Sequence, residues 1–180
     1  TNFTNSLLVG HATTGTLNSA IYNTGVGIDA LKAITLGDSN TAIGRRAGSV
    51  LTSGSTNTLV GQQAGRGITT TSSNTAVGEN ALRNQPTGTG NTALGKNALY
   101  ATTADYNIGI GYTSGNNITS GSGNVVIGVA DVPSATADDQ LSISDGEDGT
   151  VVWLTGDSAG TVSANGGHLT TTGKALVMGF

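Results

Sequence analysis

The chain has 180 residues, a formal net charge of −4, 29 glycines and no cysteine. Only 10% of its residues are charged, against about a quarter in ordinary globular domains. The absence of cysteine excludes a disulfide framework and thiol chemistry. The sequence has no basic cluster, which argues against nucleic acid as a partner. It also has no apolar run near the roughly 18 residues of a membrane span.

The first stretch, Thr1–Tyr22, carries only a degenerate form of the pattern that follows, as terminal repeats often do because they cap a stack. It contains neither an initiator methionine nor a signal peptide. We therefore expect the sequence to be an internal or C-terminal piece of a longer protein.

A short phrase, Asn-Thr-Ala-aliphatic-Gly, then returns at a nearly constant interval. It reads NTAIG at 40–44, NTLVG at 57–61, NTAVG at 74–78 and NTALG at 91–95, with weaker copies at 6–10, 23–27, 107–111 and 124–128. The closing glycines are Gly10, Gly27, Gly44, Gly61, Gly78, Gly95, Gly111 and Gly128, which are 17 residues apart except for one interval of 16. A fixed period of this length indicates a repeat architecture. We number the copies as coils one to eight.

Aligned on the closing glycine, the coils share columns of similar residues. The residue before the glycine is always Val, Ile or Leu, and the residue three before it is Thr, Leu, Ile or Val, types that favour strands. The phrase therefore predicts a short strand that ends at the glycine. A second apolar column, seven residues after the glycine, predicts a weaker extended segment and lapses to Gln85 and Thr102 in two coils.

These columns predict an all-β fold, with a β-solenoid of about eight 17-residue coils over residues 1–132. Successive strands should pair in parallel, about 4.8 Å apart. A helical interpretation fails because the glycine density and the β-branched columns oppose helices. The asparagine that opens seven of the eight copies predicts a ladder of stacked amides, which we favour over a ligand site.

The strand phrase carries apolar residues on both sides, which a single thin coil cannot bury. One side holds the aliphatic column, and the other holds mostly small residues, namely Ala42, Leu59, Ala76, Ala93, Gly109 and Val126. We expect the small side to let another chain approach closely. This predicts a homo-oligomer around a rotation axis, for which we choose three copies.

The period stops after Gly128, and Val132-Pro133 predicts a domain boundary because proline cannot donate to a strand ladder. Residues 133–180 are predicted to form a small, hairpin-rich C-terminal β-domain. Asp138–Ser144 and Thr150–Thr155 predict two strands joined by an acidic turn. Shorter strands are expected at Thr161–Ser163 and Lys174–Phe180.

The repeated NTAxGxxAL phrase resembles the left-handed β-roll repeats of trimeric autotransporter adhesin heads, which use a shorter phrase. It is still more similar to repeats of trimeric phage tail fibres and related adhesive fibres of bacteria, and the ending GKALVMGF resembles the C-terminal end of phage fibre proteins. The resemblance covers roughly residues 6–132 and implies a left-handed roll in a parallel homotrimer on a virion or a cell surface. It is specific for architecture and weak for function, because such rolls serve mainly as shafts and heads.

Three features of the C-terminal region are candidate binding residues. The turn with Asp145, Glu147 and Asp148 offers oxygen ligands that suit Ca²⁺, although clustered acids in a turn are usually only solvated, so no metal is predicted. Trp153 is suited to stack on a sugar ring at a fibre tip, but a tryptophan more often fills a core. His168 is interpreted as a surface loop residue rather than a catalyst.

The sequence offers no enzyme chemistry and implies no cofactor. Glycan hydrolysis needs paired carboxylates, and the acids of the repeat region form no column. The threonine column at 24, 41, 58, 75 and 92 raises the alternative of an ice-binding surface. Ile108 and Val125 interrupt that column, which favours an ordinary strand role.

The function that we expect is host-surface attachment, without catalysis, by the distal part of a phage tail fibre. The partners would be two further copies of the chain and a glycan or protein on the host cell, with no nucleic acid and no membrane insertion. The alternatives are the head of a bacterial trimeric surface adhesin and a purely structural spacer.

Overall fold

The computed structural model describes residues 6–10, 19–164 and, as backbone only, 167–169, and these ranges are all-β without a helix. Their strands are β1 (Leu7–Val9), β2 (Thr24–Val26), β3 (Thr41–Ile43), β4 (Thr58–Val60), β5 (Thr75–Val77), β6 (Thr92–Leu94), β7 (Ile108–Ile110), β8 (Val125–Ile127), β9 (Leu141–Ser144), β10 (Val152–Gly156), β11 (Val162–Ala164) and β12 (Gly167–Leu169). All belong to one sheet in which each strand neighbours the next in sequence.

The predicted solenoid is confirmed, with one short strand in each of the eight coils. Strands β1 to β8 pair in parallel with equivalent residues opposite one another, as when Thr41 faces Thr58 and Ile43 faces Val60. The phrase found in the sequence is therefore the strand itself. Its constant length keeps every column in register along the stack.

The middle residue of each strand from β2 to β8 is buried inside the coil, which corrects our expectation for the small side. Ala42, Leu59, Ala76 and Ala93 are fully buried within the single chain and are not available to another one. The coil is narrow, so only the side with small residues fits inside it. The larger aliphatic column therefore faces outward.

Leucines from two columns share the narrow interior. In coil four the strand supplies Leu59, which lies against Gly48 and Gly65. A Cβ added at Gly48 would lie 2.8 Å from Leu59 Cδ1, and one added at Gly65 would lie 2.5 Å from Leu59 Cδ2, so neither glycine leaves room for a side chain. In coil five the strand supplies only Ala76, and Leu82, four residues after the closing glycine, fills the space. Leu82 adopts a left-handed φ of 49°, which costs roughly 1–2 kcal/mol. Burial of a leucine side chain gains about 1.5–3 kcal/mol, which offsets that strain.

The closing glycine is required by the close approach of successive coils. Gly78 has a φ of 136°, and a Cβ at this position would lie 2.5 Å from the carbonyl oxygen of Gly95 in the next coil. A side chain would collide with backbone that cannot move away. The glycine column that defines the repeat is thus a packing requirement of the stack.

The second apolar column is buried, but it is not the extended segment that we predicted. Within the described coils it is a sequence of turns, in which Ala47 N–H donates to Gly44 O at 3.2 Å and Leu51 N–H donates to Gly48 O at 3.0 Å. Left-handed residues, such as Arg46 with a φ of 60°, bend the chain around the small circumference. A flat strand could not close so short a coil.

The stack of parallel strands continues one strand beyond coil eight. β9 pairs in parallel with β8, with Leu141 opposite Val125, and its other edge pairs antiparallel with β10. The predicted hairpin around the acidic turn is therefore present, and β11 and β12 extend it. The division of the chain at residue 132 stays a prediction, and the predicted strand Lys174–Phe180 lies outside the described residues.

Candidate functional site

The acidic turn between β9 and β10 uses its carboxylates to close the turn. Asp145 Oδ1 accepts a hydrogen bond from Gly149 N–H at 2.6 Å, and Asp148 Oδ1 accepts from Thr150 N–H at 3.0 Å and from Thr150 Oγ1 at 2.7 Å. The two hydrogen bonds from Thr150, the backbone one first, lower the pKa of Asp148. Glu147 is exposed. Among the described residues no three or more His, Cys, Asp or Glu side chains are grouped to hold a metal ion.

Trp153 does not fill a core in the single chain, because 54% of its surface is exposed. It lies in β10 where the pairing with β9 shifts register between Val152 and Leu154. Such irregularities re-aim a side chain, and here Val152 and Leu154 are half-buried while Trp153 faces out. The interpretation of Trp153 as a core residue is therefore wrong for one chain, and its role as a contact residue stays a prediction.

His168 lies in a strand and not in a loop, which corrects the prediction from its glycine-rich surroundings. It is the middle residue of β12 and pairs with Ser163 of β11. Its neighbours Gly167 and Leu169 belong to the same strand. Sequence reasoning missed this strand because glycine and histidine are weak indicators of one.

The asparagine ladder is present and its polar atoms are engaged within the stack. In every coil from Asn40 to Asn124 the asparagine N–H donates to the Oδ1 of the preceding asparagine at 2.8–3.0 Å. Gln140 continues the series, because its N–H donates to Asn124 Oδ1 at 2.9 Å. The ladder is buried, so the structural interpretation is confirmed and the ladder offers no ligand site.

The outward side of the strands carries a continuous row of aliphatic residues, which we name the aliphatic ladder. Its members are Val9, Val26, Ile43, Val60, Val77, Leu94, Ile110 and Ile127. Exposure of the side chains remains substantial, at 42% for Ile43 and 47% for Leu94. The threonine column accompanies it on the same side. Monomeric soluble proteins rarely expose contiguous apolar patches of this kind, so the ladder is a candidate interface.

A second candidate lies around the corner from the strands, where three concave sites follow one another along the coils. The first, of about 220 Å³, is lined by Asp29, Lys32, Arg46 and Arg66. The second, of about 320 Å³, is lined by Asn80, Asn97, Tyr100 and Asn116. All of these residues stand two or five positions after a closing glycine. Because equivalent positions stack, the sites share one face of the rod, which we name the side groove.

The third concave site ends the side groove at the C-terminal hairpin. It has about 390 Å³ and is lined by Thr113 and Asn116 of coil seven, by Asp131 of coil eight and by Asp148 of the acidic turn. Asp148 thus lines this site, and Asp145 meets the repeat region through its carbonyl oxygen, which accepts from Val129 N–H at 2.9 Å. The turn adds negative charge at this end of the groove.

The basic residues of the side groove come one from each of four consecutive coils. Lys32, Arg46 and Arg66 of coils two, three and four line the first site, and Arg83 of coil five, at the same repeat position as Lys32 and Arg66, contacts Tyr100 of the second. Asp29 is the one carboxylate among them, 3.7 Å from both Lys32 Nζ and Arg46 Nε, so this stretch has a net charge of +3. The sequence analysis missed the cluster because its members are 14 to 20 residues apart.

Arg83 is held in place by groups of the two adjacent coils. Its Nε donates to Gln63 Oε1 at 2.8 Å, its Nη1 hydrogen-bonds the Tyr100 hydroxyl, and its guanidinium lies 5.6 Å from the centre of the Tyr100 ring. Such contacts fix a long side chain before a ligand arrives. The middle of the groove is therefore partly preorganised.

Within the part of the chain that the structure describes, no helix has the length and apolar character to cross a membrane. Comparisons of the chain with protein-family models, with curated proteins and with solved structures found no significant match in any of the three.

Proposed function

We propose that this chain is a non-catalytic segment of a trimeric surface fibre, the distal part of a phage tail fibre that attaches to the host cell surface. The observation that carries the proposal is the aliphatic ladder, exposed along a rod of stacked coils. A rod built from repeats presents long regular faces. Such faces suit a shaft or an adhesive surface better than they suit an enclosed catalytic pocket.

The aliphatic ladder supports assembly with further copies of the same chain. Around a rotation axis parallel to the rod, each ladder would pack against the ladders of its neighbours, and equal spacing would bring equivalent residues to the same height. Removing Ile43, Leu94 and their equivalents from water would contribute about 25 cal/mol for each Å² of apolar surface buried. The side groove would stay open, because its residues lie around the corner from the strands.

The oligomeric state is tested by light scattering on the purified chain. The expected mass is three times 17.7 kDa. Ile43→Lys together with Leu94→Lys places two charges in the ladder, and we expect this variant to be monomeric because buried unpaired charges are costly. Ser53→Lys with Thr70→Lys adds the same charge at exposed positions away from the strands and should stay trimeric. A monomeric parent chain would contradict the proposal.

Attachment is tested by flow cytometry with the fluorescently labelled trimer on a panel of bacterial isolates. We expect binding to at least one isolate and competition by excess unlabelled trimer. A stable trimer that binds no isolate would contradict attachment and favour the structural spacer. Release of reducing sugars from the bound cells would contradict the non-catalytic part of the proposal.

A further inference from the structure

We infer that the side groove binds a linear acidic polysaccharide that lies along the rod, with its acidic groups against the cations of coils two to five. The inference rests on the proposed attachment function and names the ligand class and the surface. The site is outside the aliphatic ladder, and of the C-terminal residues that the sequence suggested only Asp148 lines it, at the far end from the cations.

The first support is the repeated geometry of the groove. Its lining comes from positions two and five after the closing glycine, so each coil offers an equivalent pair of side chains at a regular interval of about 4.8 Å. That interval is comparable to the length of one sugar unit in an extended chain. A polymer with one acidic group on each unit would therefore meet one cation for each coil.

The second support is the arrangement of charge on a chain that is negative overall. Coils two to five contribute Lys32, Arg46, Arg66 and Arg83 to one face, against a single carboxylate, while the whole chain carries −4. A basic face on an acidic protein favours an anionic partner and directs its approach. Arginine suits carboxylates and sulfates because its planar fork donates two hydrogen bonds at once.

The third support is the change of chemistry along the groove. From coil five to coil seven the lining includes Asn80, Asn97, Asn116 and Tyr100, whose amide and hydroxyl groups donate and accept hydrogen bonds and so match sugar hydroxyls. At the far end Asp131 and Asp148 repel an acidic chain. A glycan fits this order of basic, neutral and acidic parts along the groove better than a nucleic acid does. A nucleic acid would place a phosphate against the neutral and acidic parts as well, because it carries one on every unit.

Binding is measured by biolayer interferometry on immobilised alginate, polygalacturonate and chondroitin sulfate, with dextran as the neutral polymer and poly(dT) as the nucleic acid. We expect affinity for at least one acidic polysaccharide, weaker at high salt because screening reduces exposed charge attraction. We expect no response to dextran and a weaker one to poly(dT). Stronger binding to poly(dT), equal binding to dextran, or no binding to any acidic glycan would overturn the inference.

The matched variants separate the groove from general charge. Arg46→Gln with Arg66→Gln removes two groove cations and introduces the residue already found as Gln63, equivalent to Arg46, in the next coil. Arg45→Gln with Lys96→Gln removes the same charge one position after the glycine, outside the groove. We expect about a tenfold loss of affinity in the groove variant and less than about twofold in the control. Equal losses would refute the assignment.

Folding and attachment are followed in the same samples. Circular dichroism and light scattering must match the parent chain, and Arg46→Lys with Arg66→Lys, which keeps the charge, should retain most of the binding. The bacterial assay then separates the two proposals. If cells bind the parent and the groove variant equally, attachment stands and the groove inference fails. If no cells bind, attachment fails whatever the groove does with purified glycans.

Discussion

Replacing Asn57 by alanine is expected to break the asparagine ladder at its centre. The buried Asn57 side chain donates through Nδ2 to Asn40 Oδ1 and to Thr71 O, both at 3.0 Å, and its Oδ1 accepts from Asn74 N–H at 3.0 Å. Alanine removes all three hydrogen bonds. It leaves the Asn74 N–H and the Thr71 carbonyl without these partners in the interior.

The expected loss follows from this count of bonds. The lost bond to Asn40 Oδ1 costs about 1 kcal/mol net, and each of the other two lost bonds leaves an orphaned polar group that costs about 1–3 kcal/mol. We therefore expect Asn57→Ala to lower the free energy of unfolding by about 3–7 kcal/mol, a large part of the roughly 5–15 kcal/mol of a typical domain. Urea unfolding followed by circular dichroism measures the loss.

Asn57→Asp adds a test with a pH dependence. Aspartate preserves the shape of the side chain at position 57, but an ionised carboxylate there would face the oxygens of Asn40 and Thr71. Burial raises the pKa of such a carboxyl above the value of about 3.9 in the unfolded chain. Stability should therefore be highest below pH 4 and be lost as pH rises through the folded pKa. The exposed Asn84 provides the control. If Asn57→Ala were no more harmful than Asn84→Ala, the ladder would not stabilise the solenoid.

Three further predictions concern single positions. Gly78→Ala forces a side chain against the next coil at a φ of 136° and should prevent stacking there, while Gly146→Ala, with no atom within 4 Å, should leave the urea midpoint unchanged. Gln85→Ile removes the buried, unpartnered Oε1 and should raise the free energy of unfolding by about 1 kcal/mol, because the acceptors of its Nε2, Asn74 Oδ1 and Gly88 O, keep other donors. Thr150→Val removes a hydroxyl donor and should raise the pKa of Asp148 in an NMR titration. In the parent, this lowered pKa stabilises the turn above the unfolded value of 3.8 and the benefit fades as pH falls through the folded pKa.

The repeat made the solenoid strands predictable to within one residue at each end. The phrase and the strands coincide because the same steric demands, a β-branched or aliphatic pair and a glycine with a left-handed φ, recur in every coil. The orientation of the strands was not predictable in the same way. Both sides of the phrase are apolar, as at Ala42 and Ile43, and only the volume available inside one coil decides that the alanine is buried. The hydrophobic pattern of the sequence gives no information about the volume inside the coil.

The side groove was within reach of the sequence but was hidden by the distance between its members. Lys32, Arg66 and Arg83 occupy the same position in their coils, five after the closing glycine. Read linearly they are isolated charges, and only folding the sequence on its period brings them together. The C-terminal candidates had the opposite problem, because Asp145 and Asp148 are only three residues apart in sequence and yet are engaged in their own turn.

The narrow interior is filled by a leucine of the strand in coil four and by a leucine four residues after the closing glycine in coil five. Leu59→Ala should cost about 2–5 kcal/mol through the cavity that it leaves, and Gly65→Leu should fail alone because its Cβ would lie 2.5 Å from Leu59 Cδ2. Combined, they reproduce the pairing of coil five, where alanine in the strand accompanies Leu82 at a left-handed φ. We therefore expect the double variant to unfold at a higher urea concentration than either single variant, with a favourable coupling of about 2 kcal/mol. Leu59→Ala with Gly115→Leu places the new leucine three coils away and should show no such coupling. Additive losses at positions 59 and 65 would mean that the two columns do not fill a common space.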